Sequence, residues 1–334
     1  MESTSKRSQV TSKMANGNPN GVADQIQSDD DSVEQNIDDN GEEQELVVLD
    51  PEATDIDLNH GRIARIENLD HLQNVETLTL RWNQIKIIEN LSSLSTLKEL
   101  ELYDNQISRL ENLEHLVNLE ILDVSHNHLR KIEGLDQLTK LKKLFFVSNK
   151  IAKIENLNNL KSLEVLELGD NRIRKIENLD GLLNLQQLFV GKNKITRLEN
   201  LDNLVNLSTL SIQSNRITKI ENMDKLSKLE ELYISHNGIK CVEGLENNTI
   251  LNTLDMAGNG IEKLDNLGTL VQIEEFWFND NNISDWNEIK KIEHMKKLAT
   301  VYFERNPIQN STDYRRKLKL AIPSLTQIDA TLCR

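Results

Sequence analysis

The sequence predicts a curved α/β solenoid of about twelve coils, with a parallel β-sheet on its concave face and short helical or 3-10 returns on its convex face. Three observations predict it. The pattern L-x-L-x-x-N-x-I, first complete at Leu78-Thr79-Leu80-Arg81-Trp82-Asn83-Gln84-Ile85, returns every 22 residues, its asparagine falling at Asn83, Asn105, Asn127 and onward to Asn281 without a slip. Degenerate copies flank the series: Ile56, Leu58, Gly61 and Ile63 before it, and Val301, Phe303, Asn306 and Ile308 after it, the latter following a three-residue insertion. A fixed period of this length outweighs the two or three compact domains that 334 residues would otherwise suggest.

The period and the L-x-x-L-x-L-x-x-N frame are those of a leucine-rich repeat. Each coil divides into a short L-x-L strand, an asparagine turn, and an apolar return such as Ile173-x-x-Ile176-Glu177-Asn178-Leu179. The conserved spacing sends the Leu and Ile side chains into the stack, and the turn asparagines bridge backbone groups of neighbouring coils. Twelve strands at ~4.8 Å give an inner face of ~50 Å.

The chain order follows from composition. Residues 1–44 are polar and acidic and read as a disordered tail, since they hold too little apolar surface to offset ordering entropy. Within it, Ser28 precedes Asp29, Asp30 and Asp31, a sequence that suits an acidophilic kinase, so Ser28 is a candidate phosphorylation site. Residues 45–308 form the solenoid, opened by a cap at Leu46-Val47-Val48-Leu49. Residues 309–334 form a C-terminal cap, with an amphipathic helix from Asp313 ended by Pro323.

Charge and motif content exclude several functions. Of the formal charge of −15, residues 1–50 contribute −9 (twelve Asp or Glu against Lys6, Arg7 and Lys13), which leaves −6 for the repeats and C-terminal cap. An acidic solenoid is a poor ligand for phosphate backbones, so no nucleic acid is expected as a partner. No run approaches the ~18 apolar residues of a membrane span and no secretory leader opens the sequence, so no membrane is expected either. Cys241 and Cys333 are far apart and suggest a reduced intracellular compartment. No nucleophile–base pair, glycine-rich phosphate loop or metal-ligand spacing is present, so neither enzyme activity nor a cofactor or metal is expected. His60, His126 and His236 share the position before the turn asparagine and read as exposed polar residues. The recurring Glu67, Glu89 and Glu111, with Arg65 and Arg109 two places earlier, read as solvated charge columns on the returns.

Function is expected in the letter between the leucines. By strand alternation the middle residue of L-x-L faces the concave surface, where the core does not need it. From the first coil to the last this column reads Asp57, Thr79, Glu101, Asp123, Phe145, Glu167, Phe189, Ser211, Tyr233, Asp255, Trp277 and Tyr302. Aromatics make up 4% of the chain yet five of these twelve positions, and exposed rings of this kind are favoured interface anchors. Phe145 and Phe189, two coils apart and so ~10 Å apart, are too distant to stack on each other. Glu275 lies two residues before Trp277 on the same side.

The Ile-Glu-Asn-Leu returns, the acidic N-terminus, the Asn-Pro-Ile and Asp-Tyr-Arg-Arg-Lys segments near the C-terminus and the ordered concave column resemble the leucine-rich-repeat regulatory subunits of protein phosphatase 1 over residues 45–334. The resemblance implies a non-catalytic protein of the nucleus and cytoplasm, monomeric when unbound, that binds the phosphatase catalytic subunit through its concave face. It carries the contact positions onto Asp123, Phe145, Glu167, Phe189, Asp255, Glu275, Trp277 and Tyr302, and leaves room for an inhibitor subunit in a ternary complex. Lys142-Lys143-Leu144-Phe145-Phe146 only approximates the short basic-x-Val/Ile-x-Phe motif of other phosphatase partners, and its Leu144 and Phe146 are core positions. A leucine-rich-repeat structural adaptor of a nuclear ribonucleoprotein, which shares the repeat type and cap, is the alternative.

Overall fold

The computed structural model describes residues 7–8 and 49–333. The predicted tail apart from residues 7–8, its Ser28, and Leu46 to Val48 of the predicted N-terminal cap lie outside the described residues. One sheet runs through everything described. Arg7–Ser8 (β1) pairs in parallel with β2 (Asp55–Asp57). There follow, each parallel to the last, β3 (Thr77–Thr79), β4 (Glu99–Glu101), β5 (Ile121–Asp123), β6 (Lys143–Phe145), β7 (Val165–Glu167) and β8 (Gln187–Phe189). The series continues with β9 (Thr209–Ser211), β10 (Glu231–Tyr233), β11 (Thr253–Asp255), β12 (Glu275–Trp277) and β13 (Thr300–Tyr302). β14 (Gln327–Ile328) extends the sheet in parallel, and β15 (Thr331–Leu332) turns back antiparallel to close it.

Register is strict: Leu78 pairs with Leu100, and Leu254 with Phe276. In most strands the central residue is buried and its neighbours are half-buried, so one face meets the core and the other meets solvent. The core is a single file of leucine and isoleucine from Ala53 to Ile328, filled towards its C-terminal end by Phe276, Phe278 and Phe303, with Phe276 and Phe278 stacked at 4.0 Å.

Turn asparagines tie coil to coil. Asn171 Nδ2 donates to the carbonyls of Phe146 (2.8 Å), one coil back, and of Leu168 (3.2 Å), while its Oδ1 accepts the Ile151 N–H (3.0 Å). The same three-way bridge recurs at Asn105, Asn127 and Asn193.

The short returns expected on the convex face are single 3-10-type turns. In most coils two isolated turns follow one another, as where Leu94 N–H donates to the Leu91 carbonyl (3.0 Å) and Leu97 N–H to that of Leu94 (3.1 Å). A second asparagine ladder governs the entry to each return, where Asn90, Asn112, Asn156 and Asn178 all hold left-handed backbone near φ +59°. Asn178 Nδ2 donates to the Ile154 carbonyl of the previous coil at 2.7 Å. This explains why Glu-Asn-Leu alternates with Glu-Gly-Leu: asparagine and glycine are the residues that tolerate the left-handed region. At Gly244 (φ +71°) a Cβ would stand 2.6 Å from the Ile220 carbonyl oxygen.

Helices occur where the period breaks. The three-residue insertion is absorbed by α1 (Trp286–Lys290), capped by Asp285 accepting the Asn287 N–H at 2.8 Å. After a 3-10 turn (Pro307–Asn310), α2 (Tyr314–Ala321) covers the last coil. Buried Tyr314 donates to Asp329 Oδ2 (3.0 Å), and Asp329 Oδ1 accepts the N–H groups of Phe303 (2.9 Å) and Glu304 (3.0 Å). Burial, followed by the charge of Asp329, pushes the Tyr314 hydroxyl well above its ordinary range.

Two substitutions check this account in urea denaturation. Asn171→Ala, which leaves the Ile151 N–H unpaired and removes one of two asparagine donors from each of the Phe146 and Leu168 carbonyls, is expected to cost about 1–3 kcal/mol. Gly244→Ala, strained in dihedral and in contact, is expected to cost about 1–3 kcal/mol.

Candidate functional site on the concave face

The register makes one row of the predicted column. Asp123 pairs with Phe145, Phe145 with Glu167, and Glu167 with Phe189 on β5 to β8. Ser211 and Tyr233 carry the row to Asp255, Trp277 and Tyr302 on β11 to β13. Glu275 stands two residues before Trp277 on the same strand and the same half-buried face. All eight sequence-predicted residues therefore share one surface.

Their environments differ. At the N-terminal half, Asp123 accepts the Ser125 N–H through Oδ1 (2.9 Å), which leaves its second oxygen towards the groove. Glu167 lies between the two phenylalanine strands, and burial, with the charge of Asp123 second, raises its carboxyl above the ordinary carboxylate range. Lys143, exposed on β6, is the one base on the concave positions of β5 to β8.

At the C-terminal half the rings form a cluster. Trp277 meets Tyr302 edge-on at 5.9 Å and Tyr233 edge-on at 6.3 Å. Tyr233 and Trp277 are two coils apart, so a two-coil separation does not by itself prevent ring contact, as the spacing argument for Phe145 and Phe189 assumed. The longer Tyr and Trp side chains reach across the strand between them. Tyr233 is therefore a site residue that sequence reasoning left out, although it stood in the same column. Its hydroxyl is pushed up to about 12 by burial and, after that, by Glu231. Tyr302 is held from its far side, its hydroxyl accepting Gln327 Nε2 at 2.8 Å. The Trp277 indole N–H is buried without a hydrogen-bond partner.

Asp255 sits beneath this cluster and is only 7% exposed. Ser235 Oγ donates to its Oδ2 (2.7 Å) and the Ala257 N–H to its Oδ1 (3.0 Å). Burial raises its carboxyl above the ordinary range, and these two bonds oppose the rise. Asp255 is therefore held by Ser235 and its own turn on the strand between Tyr233 and Trp277, whereas Asp123 and Glu275 are half-buried on the concave face. Among the described residues, no three His, Cys, Asp or Glu side chains converge as metal ligands would.

Comparison with known families matches residues 95–137, 139–181, 161–203 and 205–247 to Leucine Rich repeats (2 copies). An internalin from Listeria monocytogenes superposes with a TM-score of 0.73 at 24% identity, over 82% of this chain and 79% of that one. The fold is a leucine-rich-repeat solenoid. A leucine-rich-repeat protein of Leptospira interrogans is also similar in fold, with a TM-score of 0.66 at 24% identity, over 78% of this chain and 74% of that one. Among sequences, protein phosphatase 1 regulatory subunit 7 of Xenopus tropicalis is 55% identical over 58 residues, and that of Homo sapiens 56% over 52 residues. Protein phosphatase 1 regulatory subunit SDS22 of Schizosaccharomyces pombe is 49% identical over 53 residues. These alignments span less than a fifth of each chain: 17% of this chain and 17% of the Xenopus relative, and 16% and 14% for the human one. The relatives are those that the repeat and its column resembled, and their names are those of regulatory subunits.

The buried Asp255 gives a pH signature. A carboxyl raised by folding favours its protonated form in the native state, so its contribution to stability is complete below the ordinary aspartate value of 3.8 and is lost as pH rises through the raised native value. Asp255→Asn is therefore expected to flatten the fall in stability from about pH 4 upward, with little loss at neutral pH. Chemical denaturation of both proteins at several pH values measures it.

Proposed function

We propose that this chain is a non-catalytic regulatory subunit that binds the catalytic subunit of protein phosphatase 1 through the concave row from Asp123 to Tyr302. The observation that carries the reading is the row itself: aromatic anchors interleaved with carboxylates on one strand register, in a chain whose relatives are named as regulatory subunits of that phosphatase.

Phe145 and Phe189 are the anchors of one half, and the Tyr233–Trp277–Tyr302 cluster is the anchor of the other. Rings carry much of the energy of an interface because they bury a large area and lose little entropy. Trp277 adds a donor: its unpaired indole N–H costs about 1–3 kcal/mol while it stays buried, and an acceptor on the phosphatase that reaches it recovers that cost. Asp123, Glu167 and Glu275 select a surface bearing Lys or Arg and steer its approach. The returns stay uncovered in this arrangement, which is compatible with an inhibitor subunit joining a ternary complex.

Binding to the purified catalytic subunit by calorimetry tests the proposal. Trp277→Ala and Phe189→Ala are each expected to weaken binding about 30-fold, the equivalent of ~2 kcal/mol. Unchanged affinity in variants that keep their circular dichroism would overturn it.

A further inference from the structure

A second set of rings lies outside that row, on the N-terminal coils. His60 stacks on Trp82 with centroids 4.4 Å apart and planes at 6°. Trp82 meets Tyr103 edge-on at 5.6 Å, and Tyr103 meets His126 at 4.7 Å. These rings form a continuous rail along one rim of the sheet, over the coils of β2 to β5. Sequence reasoning took His60 and His126 for independent exposed polar residues, and the structure joins them through Trp82 and Tyr103.

Trp82 is the conspicuous member. It occupies the left-handed position before the turn asparagine, with φ +55°, and is 41% exposed. Apart from His126 and His236, the later coils fill this position with non-aromatic residues such as Asp104, Ser148, Lys192 and Gly258. A bulky residue is an outlier in this region, and the fold does not require a ring there, since most other coils close without one. Nor does the core use it: the rail stands outside the buried file of leucines.

Carboxylates predominate around the rail. Asp57, Glu99 and Glu101 occupy concave positions of β2 and β4, and Asp104 is exposed within the rim. Burial, followed by the charge of Glu101, raises the Glu99 carboxyl, which marks the crowding of negative charge. Arg81 shows what a cation does here. Its guanidinium lies 5.9 Å from the Tyr103 ring centroid while its Nη2 donates to Glu101 Oε1 at 2.5 Å.

We propose that the rail His60–Trp82–Tyr103–His126, with the carboxylates beside it, is a second docking surface that takes an extended segment of another protein bearing arginine or lysine. Planar guanidinium groups stack on the open face of His60 and the exposed flank of Trp82 while Asp57 and Asp104 receive their N–H donors, repeating the arrangement of Arg81 between Tyr103 and Glu101. The negative surroundings disfavour nucleic acid and other anionic ligands. The rail ends at His126 in the coil of β5, where the concave row begins at Asp123, so the two surfaces adjoin, with Trp82 on the coil of β3 three coils before Phe145 on β6. The inference does not depend on the proposed phosphatase contact.

The test uses the full chain, labelled with 15N, and a capped peptide alternating arginine with glycine, beside the same peptide carrying glutamate. The chain has three tryptophans, Trp82, Trp277 and Trp286, whose indole signals are assigned by single Trp→Phe changes. The arginine peptide is expected to move the Trp82 signal and leave the other two in place, and the glutamate peptide to move none. Trp82→Ala and Asp104→Asn are each expected to weaken the arginine peptide by about tenfold or less and to leave affinity for the phosphatase catalytic subunit unchanged. Four outcomes would overturn the proposal: no shift of Trp82 at millimolar peptide, a shift of Trp277 in its place, equal binding of the glutamate peptide, or full affinity in folded Trp82→Ala. Self-association abolished by Trp82→Ala would assign the rail to a second copy of the chain. A Trp82 signal that moves on Lys6→Glu with no peptide present would assign it to the chain's own N-terminal segment. Either result also overturns the proposal.

Discussion

Every other feature depends on the bridge made by the turn asparagine. Asn171 binds the carbonyls of Phe146 and Leu168 and receives the Ile151 N–H, so one side chain spans the end of its own strand and two points on the coil before it. Each coil is thereby set at one translation and one register from its neighbour. If that register slipped by one residue, every inward leucine would move to the solvent face. The concave row exists because this does not happen: residues far apart in sequence, such as Asp123 and Tyr302, lie on one line because each intervening coil repeats the same step.

A stack held by neighbour contacts is weakest at its ends. At the C-terminal end the protection is polar as well as apolar. Asp329 accepts two backbone N–H groups of the last repeat and the Tyr314 hydroxyl, and Arg315 Nη1 donates to the Ile328 carbonyl at 2.6 Å. Tyr302 is tied into the same end through Gln327, which belongs to β14. The cap therefore does more than cover leucines, because it orients the last ring of the concave cluster.

The scaffold was legible in the sequence because leucine, asparagine and the fixed period each report one physical requirement. The concave row was legible for the same reason, since strand alternation leaves only one place for the middle residue of L-x-L. The form of the returns was legible only in part. Glu-Asn-Leu is compatible with a helical turn, and only the left-handed dihedrals of Asn90 and Asn178, matched by Gly134 and Gly244, show that a ladder of single turns is built there. Tyr233 was missed for a related reason: spacing along the sheet was taken as the distance between side chains, whereas long rings on a shared face reach across it. The buried state of Asp255 had no sequence signal, because its partners Ser235 and Ala257 lie in a column that the pattern does not constrain.

The same contrast separates the two ring systems. In the concave row the aromatics replace one another at a single position, so a column read from sequence finds them. In the rail they alternate between two positions: His60, Trp82 and His126 come just before the turn residue (Gly61, Asn83 and Asn127), and Tyr103 comes one residue earlier in its coil. Contact between them needs the left-handed turn, which swings the side chain of Trp82 over the rim towards its neighbours on either coil. A surface built in this way is invisible to a single-column reading, and it is also independent of the core, since changing one ring leaves the leucine file and the asparagine bridges intact. The solenoid can therefore carry two recognition surfaces on one rigid register without either constraining the residues of the other.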